Sequence, residues 1–164
     1  MLRRIFLVSF LSGVLISCNS KAKIAKDYYE RMIILENSLF SVLSSSDSMA
    51  RGYIIKKQHD SLVLVAGKAE ELLQEKIDSL NQVRLSGVVG GEEFITAYVR
   101  TFKYIKNVQI IYKNLGLAGS IEERKAVIKD LKEIVVEVEM VVNDMQSEKK
   151  KFADANGFIP DRIE

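Results

Sequence analysis

The chain has 164 residues, 48% hydrophobic and 28% charged, which supports one globular domain with its own core and is short for two. Its single cysteine excludes an internal disulfide and any metal site built from several cysteines. Two of the 24 basic residues, Arg3 and Arg4, lie in the first 17 positions, so the remaining chain carries 22 basic and 22 acidic side chains. This neutral balance gives no electrostatic reason to expect a nucleic-acid partner.

The N-terminal segment 1–17 has the layout of a secretory signal peptide. Two arginines precede a run of uncharged residues that ends at Cys18. As a helix, this run would extend about 20 Å, less than the roughly 30 Å hydrocarbon core of a bilayer. A basic start followed by a short apolar run is typical of a cleaved signal peptide. The alternative is a short anchor that is not cleaved, with an incidental cysteine.

The end of this segment, Leu15-Ile16-Ser17-Cys18, resembles the lipobox of bacterial lipoprotein signal peptides. In that family a Leu and a small residue precede an invariant Cys, and the isoleucine at position 16 is a mild departure. The resemblance implies cleavage before Cys18, a diacylglycerol on its thiol and acylation of its new amino group. Several acyl chains on one residue anchor a protein stably, whereas one chain binds marginally. Cys18 is therefore the expected lipid attachment point, and the chain is expected in a bacterial cell envelope, at the outer membrane.

Residues 18–23 are predicted to form a lipidated tether in front of a domain at 24–159. The roughly five residues after the cysteine span at most about 17 Å, so the domain would lie close to the bilayer. Lys21, Lys23 and Lys26 near this end could each gain on the order of 1 kcal/mol beside anionic lipid. Simple solvation of the three side chains explains their presence equally well.

Apolar residues spaced three and four positions apart predict two helices in the first half of the domain. The first covers 24–43, and the polar run SSSDS at 44–48 is expected to end it. Asp47 or Ser48 would cap the next helix. This second helix covers about 49–82.

Two further helices are predicted after the glycine-rich break at 86–91. The third covers 92–115. The fourth begins at a capping box at 120–123, in which a serine and a glutamate satisfy each other's backbone amides. It ends at Asn156-Gly157, a sequence typical of a left-handed helix stop.

Four helices joined by short loops predict an all-α fold, an antiparallel up-down-up-down four-helix bundle, followed by a tail at 160–164. An even number of helices returns the C-terminal end of the bundle to the membrane side. The basic residues expected at this end, besides those of the tether, are Lys149, Lys150, Lys151 and Arg84. The loops at 44–51 and 116–119 would face away from the membrane.

Two stretches, EEFITAYVRTFKYIKN at 92–107 and KKFADANGF at 150–158, are similar to a family of small, uncharacterised surface lipoproteins of diderm bacteria. The similarity covers roughly 24–158 and rests on amphipathic patterns together with the Phe-x-x-x-Asn-Gly-Phe ending. It implies an all-helical fold and adds no activity.

No arrangement of residues indicates an enzyme. His59 is the sole histidine, and the neighbouring Asp60 points about 100° away from it on a helix. The sequence GVVGGEE has glycines before a helix but lacks the Lys and Ser/Thr of a phosphate-binding loop. The methionines that could pair with a haem are interpreted as core residues, namely Met32, Met49, Met140 and Met145. We therefore expect no catalytic residue, no metal and no cofactor apart from the lipid on Cys18.

These observations favour a structural, adaptor or surface-interaction role for a protein held at the envelope by its lipid. The expected partners are the membrane, through the anchor, and another envelope or host surface protein. The alternative is a carrier that binds a small apolar ligand between its helices near Ala66–Ala69. Such a carrier needs a cavity of a few hundred Å³ in the bundle.

Overall fold

The computed structural model describes the backbone of residues 2–159 and the side chains of residues 21–159. Within this range the chain forms four α-helices and no strand: α1 (Leu2–Lys56), α2 (His59–Asn81), α3 (Gly91–Leu117) and α4 (Ile121–Ala155). Each helix packs against the next along the chain, and α1 also contacts α4. Short connections make successive helices antiparallel. The predicted all-α, up-down-up-down bundle is therefore confirmed.

The predicted break at 44–48 is wrong, because α1 continues through these residues to Lys56. The buried residues of α1 follow a seven-residue spacing that runs through the serines: Ala25, Met32, Leu39 and Ser46, followed by Ala50. This buried face holds the helix together although serine and aspartate favour turns, since packing outweighs weak local propensity. The serine-rich run therefore lies within the side of the bundle and does not form an end loop.

The connection between α1 and α2 is a tight turn at residues 57–58. Lys57 has a φ of 57°, in the left-handed region that usually calls for glycine. The Gln58 amide donates to the Tyr53 carbonyl at 2.9 Å, and the Lys57 amide donates to the Ile54 carbonyl at 3.2 Å. This is the hydrogen-bond pattern of a Schellman motif, with lysine in the place of the usual glycine.

Both predicted signals at the ends of α4 are confirmed. The Ser120 side chain accepts from the Glu123 amide, and the Glu123 carboxylate accepts from the Ser120 amide, which completes the capping box. At the other end, Gly157 has a φ of 72° and the Phe158 amide donates to the Ala153 carbonyl. The chain thus reverses where the Asn-Gly pair predicts it.

The core consists of two clusters, one towards each end of the bundle. The larger one lies near the loop at 82–90 and contains an aromatic group formed by Tyr29, Phe94, Tyr98, Phe102, Phe152 and Phe158. The rings of Phe94 and Phe152 stack with their centroids 4.2 Å apart. The smaller cluster lies near the turn at 57–58 and contains Ala50, Leu62, Ala66, Tyr112 and Leu115. We refer to these two ends as the 82–90 end and the 57–58 end.

Candidate functional site

An apolar groove runs between α1 and α4, with α3 as its floor. Contact between α1 and α4 is confined to a few residues, which leaves space between these two helices. The groove has a volume of ≈470 Å³. Its apolar lining comes from three helices and includes Leu39, Phe40, Leu43, Phe102, Ile105, Val108, Val135, Val138, Val142 and Met145. This volume and this lining are typical of a site for a small apolar molecule. We call it the α1–α4 groove.

Glu36 forms a polar cluster at one end of the groove. Its Oε2 accepts hydrogen bonds from the Tyr98 hydroxyl at 2.9 Å and from Lys149 Nζ at 2.8 Å. Its Oε1 accepts from the Gln146 amide at 3.1 Å. Burial, followed by the nearby Glu36 carboxylate, raises the pKa of Tyr98, so this hydroxyl remains a donor. The Glu36 cluster joins α1 to both α3 and α4.

Asp47 forms a second polar cluster at the other end. Its Oδ1 accepts from the Tyr112 hydroxyl at 2.6 Å, and its Oδ2 accepts from Arg51 Nε at 2.8 Å. Burial and the hydrogen bond to Asp47 raise the pKa of Tyr112 to about 12. The Asp47 cluster joins α1 to α3, and its ionised groups are already paired with each other. Asp47 therefore holds the bundle together instead of capping a helix.

Gln109 is an unpartnered polar residue in the floor of the groove. Its side chain is only 3% exposed, and its Oε1 accepts no hydrogen bond from any group in the described part of the chain. Thr101, two turns earlier on α3, is equally buried, but its hydroxyl is bonded to the Ala97 and Val141 carbonyls. A buried polar atom without a partner is costly, so Gln109 marks a position where a bound molecule could supply the missing partner.

The groove exists because part of the apolar stripe of α4 is not buried. Val135 lies on this stripe, whose apolar residues recur every three and four positions, yet 53% of its surface is exposed. Ile128, an earlier member of the same stripe, is 41% exposed. On the facing helix, Phe40 is 73% exposed. The periodicity of α4 correctly predicts which side faces the bundle, but not that α1 lies too far away to cover it.

The expected membrane-side lysines are mostly on the surface. Lys21, Lys23, Lys150 and Lys151 are exposed, and Lys26 is half-buried and pairs with Glu30. Gly87 lies in the loop at 82–90, and a Cβ built on it would be 3.4 Å from Lys21 Nζ. Lys21 is therefore at the 82–90 end of the bundle. Arg84 is exposed in the loop of this end, where it donates to the carbonyls of Asn81 and Val83. A hydrogen bond to Glu148 raises the pKa of Lys151.

Lys149 does not join this exposed basic set, which corrects the expectation for that residue. It is only 7% exposed and forms an ion pair with Glu36 inside the bundle. The α4 stripe places position 149 next to the buried Met145 and Phe152, so the side chain points inward. Its role is to hold α1 and α4 together.

The remaining predicted features are distributed as follows. The signal peptide at 1–17, Cys18 and the tail at 160–164 lie outside the residues whose side chains the structure describes. No helix in the described chain is long and apolar enough to cross a membrane. Among the described side chains there is also no cluster of three or more potential metal ligands.

His59 and the small residues of α2 do not form the site. His59 is the first residue of α2 and is half-buried, at the 57–58 end. Ala66 and Ala69 are almost fully buried, so the space expected between helices at this position is filled. A hollow of ≈540 Å³ does lie beside Gly67, but it opens on the outer surface and half of its lining is charged, whereas the apolar groove lies between α1 and α4.

Comparisons with known proteins provide no family for this chain. No protein-family profile, no curated protein and no solved structure matches it.

Proposed function

We propose that this chain is a lipid-anchored protein of a bacterial cell envelope that acts by binding and not by catalysis. The lipobox-like sequence Leu15-Ile16-Ser17-Cys18 and the short apolar run before it support the anchor. Exposed Lys21 and Lys23, within the proposed tether, are compatible with a nearby anionic membrane surface.

The observation that carries the binding role is the apolar surface around the α1–α4 groove. Two large apolar side chains that line the groove are exposed, Phe40 on α1 at 73% and Val135 on α4 at 53%. Contiguous exposed apolar surface of this kind usually marks a site of interaction. The proposed interaction surface is therefore the α1–α4 side of the bundle.

The anchor is tested by metabolic labelling with a fatty-acid analogue. We expect label on the wild type and none on Cys18→Ser. In a matched control, Cys18→Ser combined with Ser20→Cys keeps a cysteine but moves it two positions from the lipobox. Label on this double variant would mean that any nearby thiol is modified, and absence of label from the wild type would refute the anchor.

The interaction surface is tested by incorporating a photo-crosslinking amino acid into the chain and irradiating intact envelope membranes. Phe40 lies on the rim of the groove, and Lys68 is an exposed position on α2 that serves as the control. We expect adducts of defined mass from position 40 and none from position 68. Equal adducts from both positions, or none from position 40, would contradict the proposed surface.

A second candidate function is a carrier for a small apolar ligand, and the groove is the observation that favours it. Its volume of ≈470 Å³ falls within the range of about 300–1,000 Å³ that is usual for ligand pockets. This candidate is compatible with lipid anchoring, because the anchor and the groove use different residues.

A further inference from the structure

We propose that the α1–α4 groove binds one unbranched acyl or alkyl chain with a neutral, hydroxyl-bearing head, as in a monoacylglycerol. This inference rests on the carrier candidate above and specifies its ligand. Three features of the groove lead to it: its cross-section, the pairing of its charges and the unpartnered amide of Gln109.

The dimensions of the groove fit a single chain. Its lining extends from Glu36 to Arg51 along α1 and from Val135 to Met145 along α4, which corresponds to a length of about 15–22 Å at 1.5 Å per residue. Dividing ≈470 Å³ by this length gives a cross-section of about 20–30 Å². A polymethylene chain whose carbons contact their neighbours at about 4 Å needs roughly 20 Å². An α-helix, about 10 Å wide, needs roughly 80 Å², several times this cross-section.

The length also limits the chain. A zigzag of carbon atoms joined by bonds of about 1.5 Å advances about 1.3 Å per atom. The groove therefore accommodates about 12–17 carbons. A single chain of ordinary membrane length matches both this length and the cross-section, whereas a lipid with two chains needs about twice that cross-section.

The charges of the groove favour a neutral head. Three ionised side chains line it: Glu36, Asp47 and Arg51. Asp47 and Arg51 pair with each other, and Glu36 pairs with Lys149, which lies outside the lining. A ligand carboxylate or ammonium would add a partly buried charge without a partner, which is unfavourable. The lining between the two clusters is mostly apolar and suits the hydrocarbon.

Gln109 supplies the polar contact. It lies one turn before Tyr112 on α3, so its amide is next to the Asp47 cluster at the 57–58 end of the groove. A hydroxyl group both donates and accepts, and it can therefore pair with either atom of the amide. This places the head of the ligand near Gln109 and its chain towards Met145.

The test uses the full chain in bilayer nanodiscs and hexadecanol that carries a diazirine in mid-chain. After photolysis, mass spectrometry maps the labelled residues. We expect label on groove residues such as Leu43, Ile105 and Val142, with competition by unlabelled monopalmitoylglycerol. Hexadecanoate with the same diazirine, in alkaline buffer where its carboxyl group is ionised, should label the groove about tenfold less.

Three variants test whether labelling depends on the groove. Val138→Phe narrows the groove and should lower its labelling about tenfold. Val136→Phe makes the same change two residues away, at an exposed position outside the groove, and should leave labelling unchanged. Gln109→Met keeps the size of the side chain and removes its hydrogen bonds. It should abolish the preference for hexadecanol over the matching hydrocarbon, hexadecane with the same diazirine.

The inference is overturned if label spreads over exposed apolar residues outside the groove or is unaffected by Val138→Phe. It also fails if a compact probe, trifluoromethyl-phenyldiazirine, labels the groove in a Val138-dependent manner and hexadecanol does not. In that case the carrier candidate still holds with a different ligand. If neither probe labels the groove, both the inference and the carrier candidate fail, and the lipid anchor is still judged by Cys18→Ser.

Discussion

The ion pair between Glu36 and Lys149 gives the sharpest stability prediction. The Lys149 side chain is 9% exposed and that of Glu36 is 24% exposed, so each loses most of its hydration on folding. Glu36→Leu removes the carboxylate that pairs with Lys149, and it should cost about 2–3 kcal/mol, since breaking one side of a buried pair is expensive. Lys149→Met leaves Glu36 with its bonds from Tyr98 and Gln146 and should cost about 1–2 kcal/mol.

The double variant, Glu36→Leu with Lys149→Met, separates the energy of the ion pair from the other effects of the two substitutions. Removing both charges leaves no unpaired ion, and the Tyr98 hydroxyl is the only buried donor that loses its acceptor, since Gln146 is exposed to water; the total cost should be about 2 kcal/mol. The two single changes together amount to about 4 kcal/mol, which gives a coupling energy of about 2 kcal/mol.

The assay is equilibrium unfolding of the full chain in urea, monitored by circular dichroism. The dependence of the free energy of unfolding on urea concentration is compared between variants. Lys150→Met is the matched control, since this neighbouring lysine is exposed and its replacement should change stability by no more than about 0.5 kcal/mol. Additive single effects, with coupling below about 0.5 kcal/mol, would refute the view that this pair holds α1 to α4. Equal losses in Lys149→Met and Lys150→Met would refute it as well.

Three further outcomes follow from the fold. Lys57→Gly should raise the free energy of unfolding by about 0.5–1 kcal/mol, since glycine adopts a φ of 57° without strain, and urea titration measures it. Gly116→Ala should destabilise the fold by about 1–3 kcal/mol, because the added Cβ would lie 2.7 Å from Val63 Cγ2. Gly52→Ala is the control and should stabilise the fold, because the space around Gly52 is open and alanine favours a helix. Thermal melts that show both variants as neutral would contradict this. Folding raises the pKa of Tyr112 from 10.0 to about 12, so its contribution to stability is complete below pH 10 and is lost as the pH rises towards 12. Urea titrations across this range should show a smaller loss in Tyr112→Phe than in the wild type, and equal losses would argue against the buried hydroxyl.

The architecture was largely predictable from the sequence because its strongest signals are local. The Ser120–Glu123 capping box and the Asn156-Gly157 stop each depend on a few neighbouring residues, and both are as predicted. The end of α1 was not predictable in this way. The local preference of the serines at 44–48 for a turn is overridden by burial of Ser46 and Ala50 against other helices, which a reading of α1 alone does not reveal.

The candidate site was the least predictable part, because it depends on the distance between helices far apart in the sequence. Val135 and Val138 have the spacing of core residues, and periodicity cannot distinguish a filled interface from an open groove. Gln109 gave no signal either, since a glutamine within an amphipathic helix is usually at the surface. The β-branched run at 134–142, part of which is exposed, was the one hint of unusual surface on α4.

The two polar clusters explain how an open groove persists in a bundle that could otherwise close over it. Glu36 fixes α1 against α3 and α4 at one end, and Asp47 fixes α1 against α3 at the other. Between them α1 makes no comparable polar contact in the described structure, so these two clusters and the packing of α1 on α2 together set the spacing of the helices. A change at either cluster should therefore alter groove labelling as well as stability. If Glu36→Leu destabilised the bundle but left hexadecanol labelling intact in the folded fraction, the groove would have to be set by the packing of α2 and α3 alone.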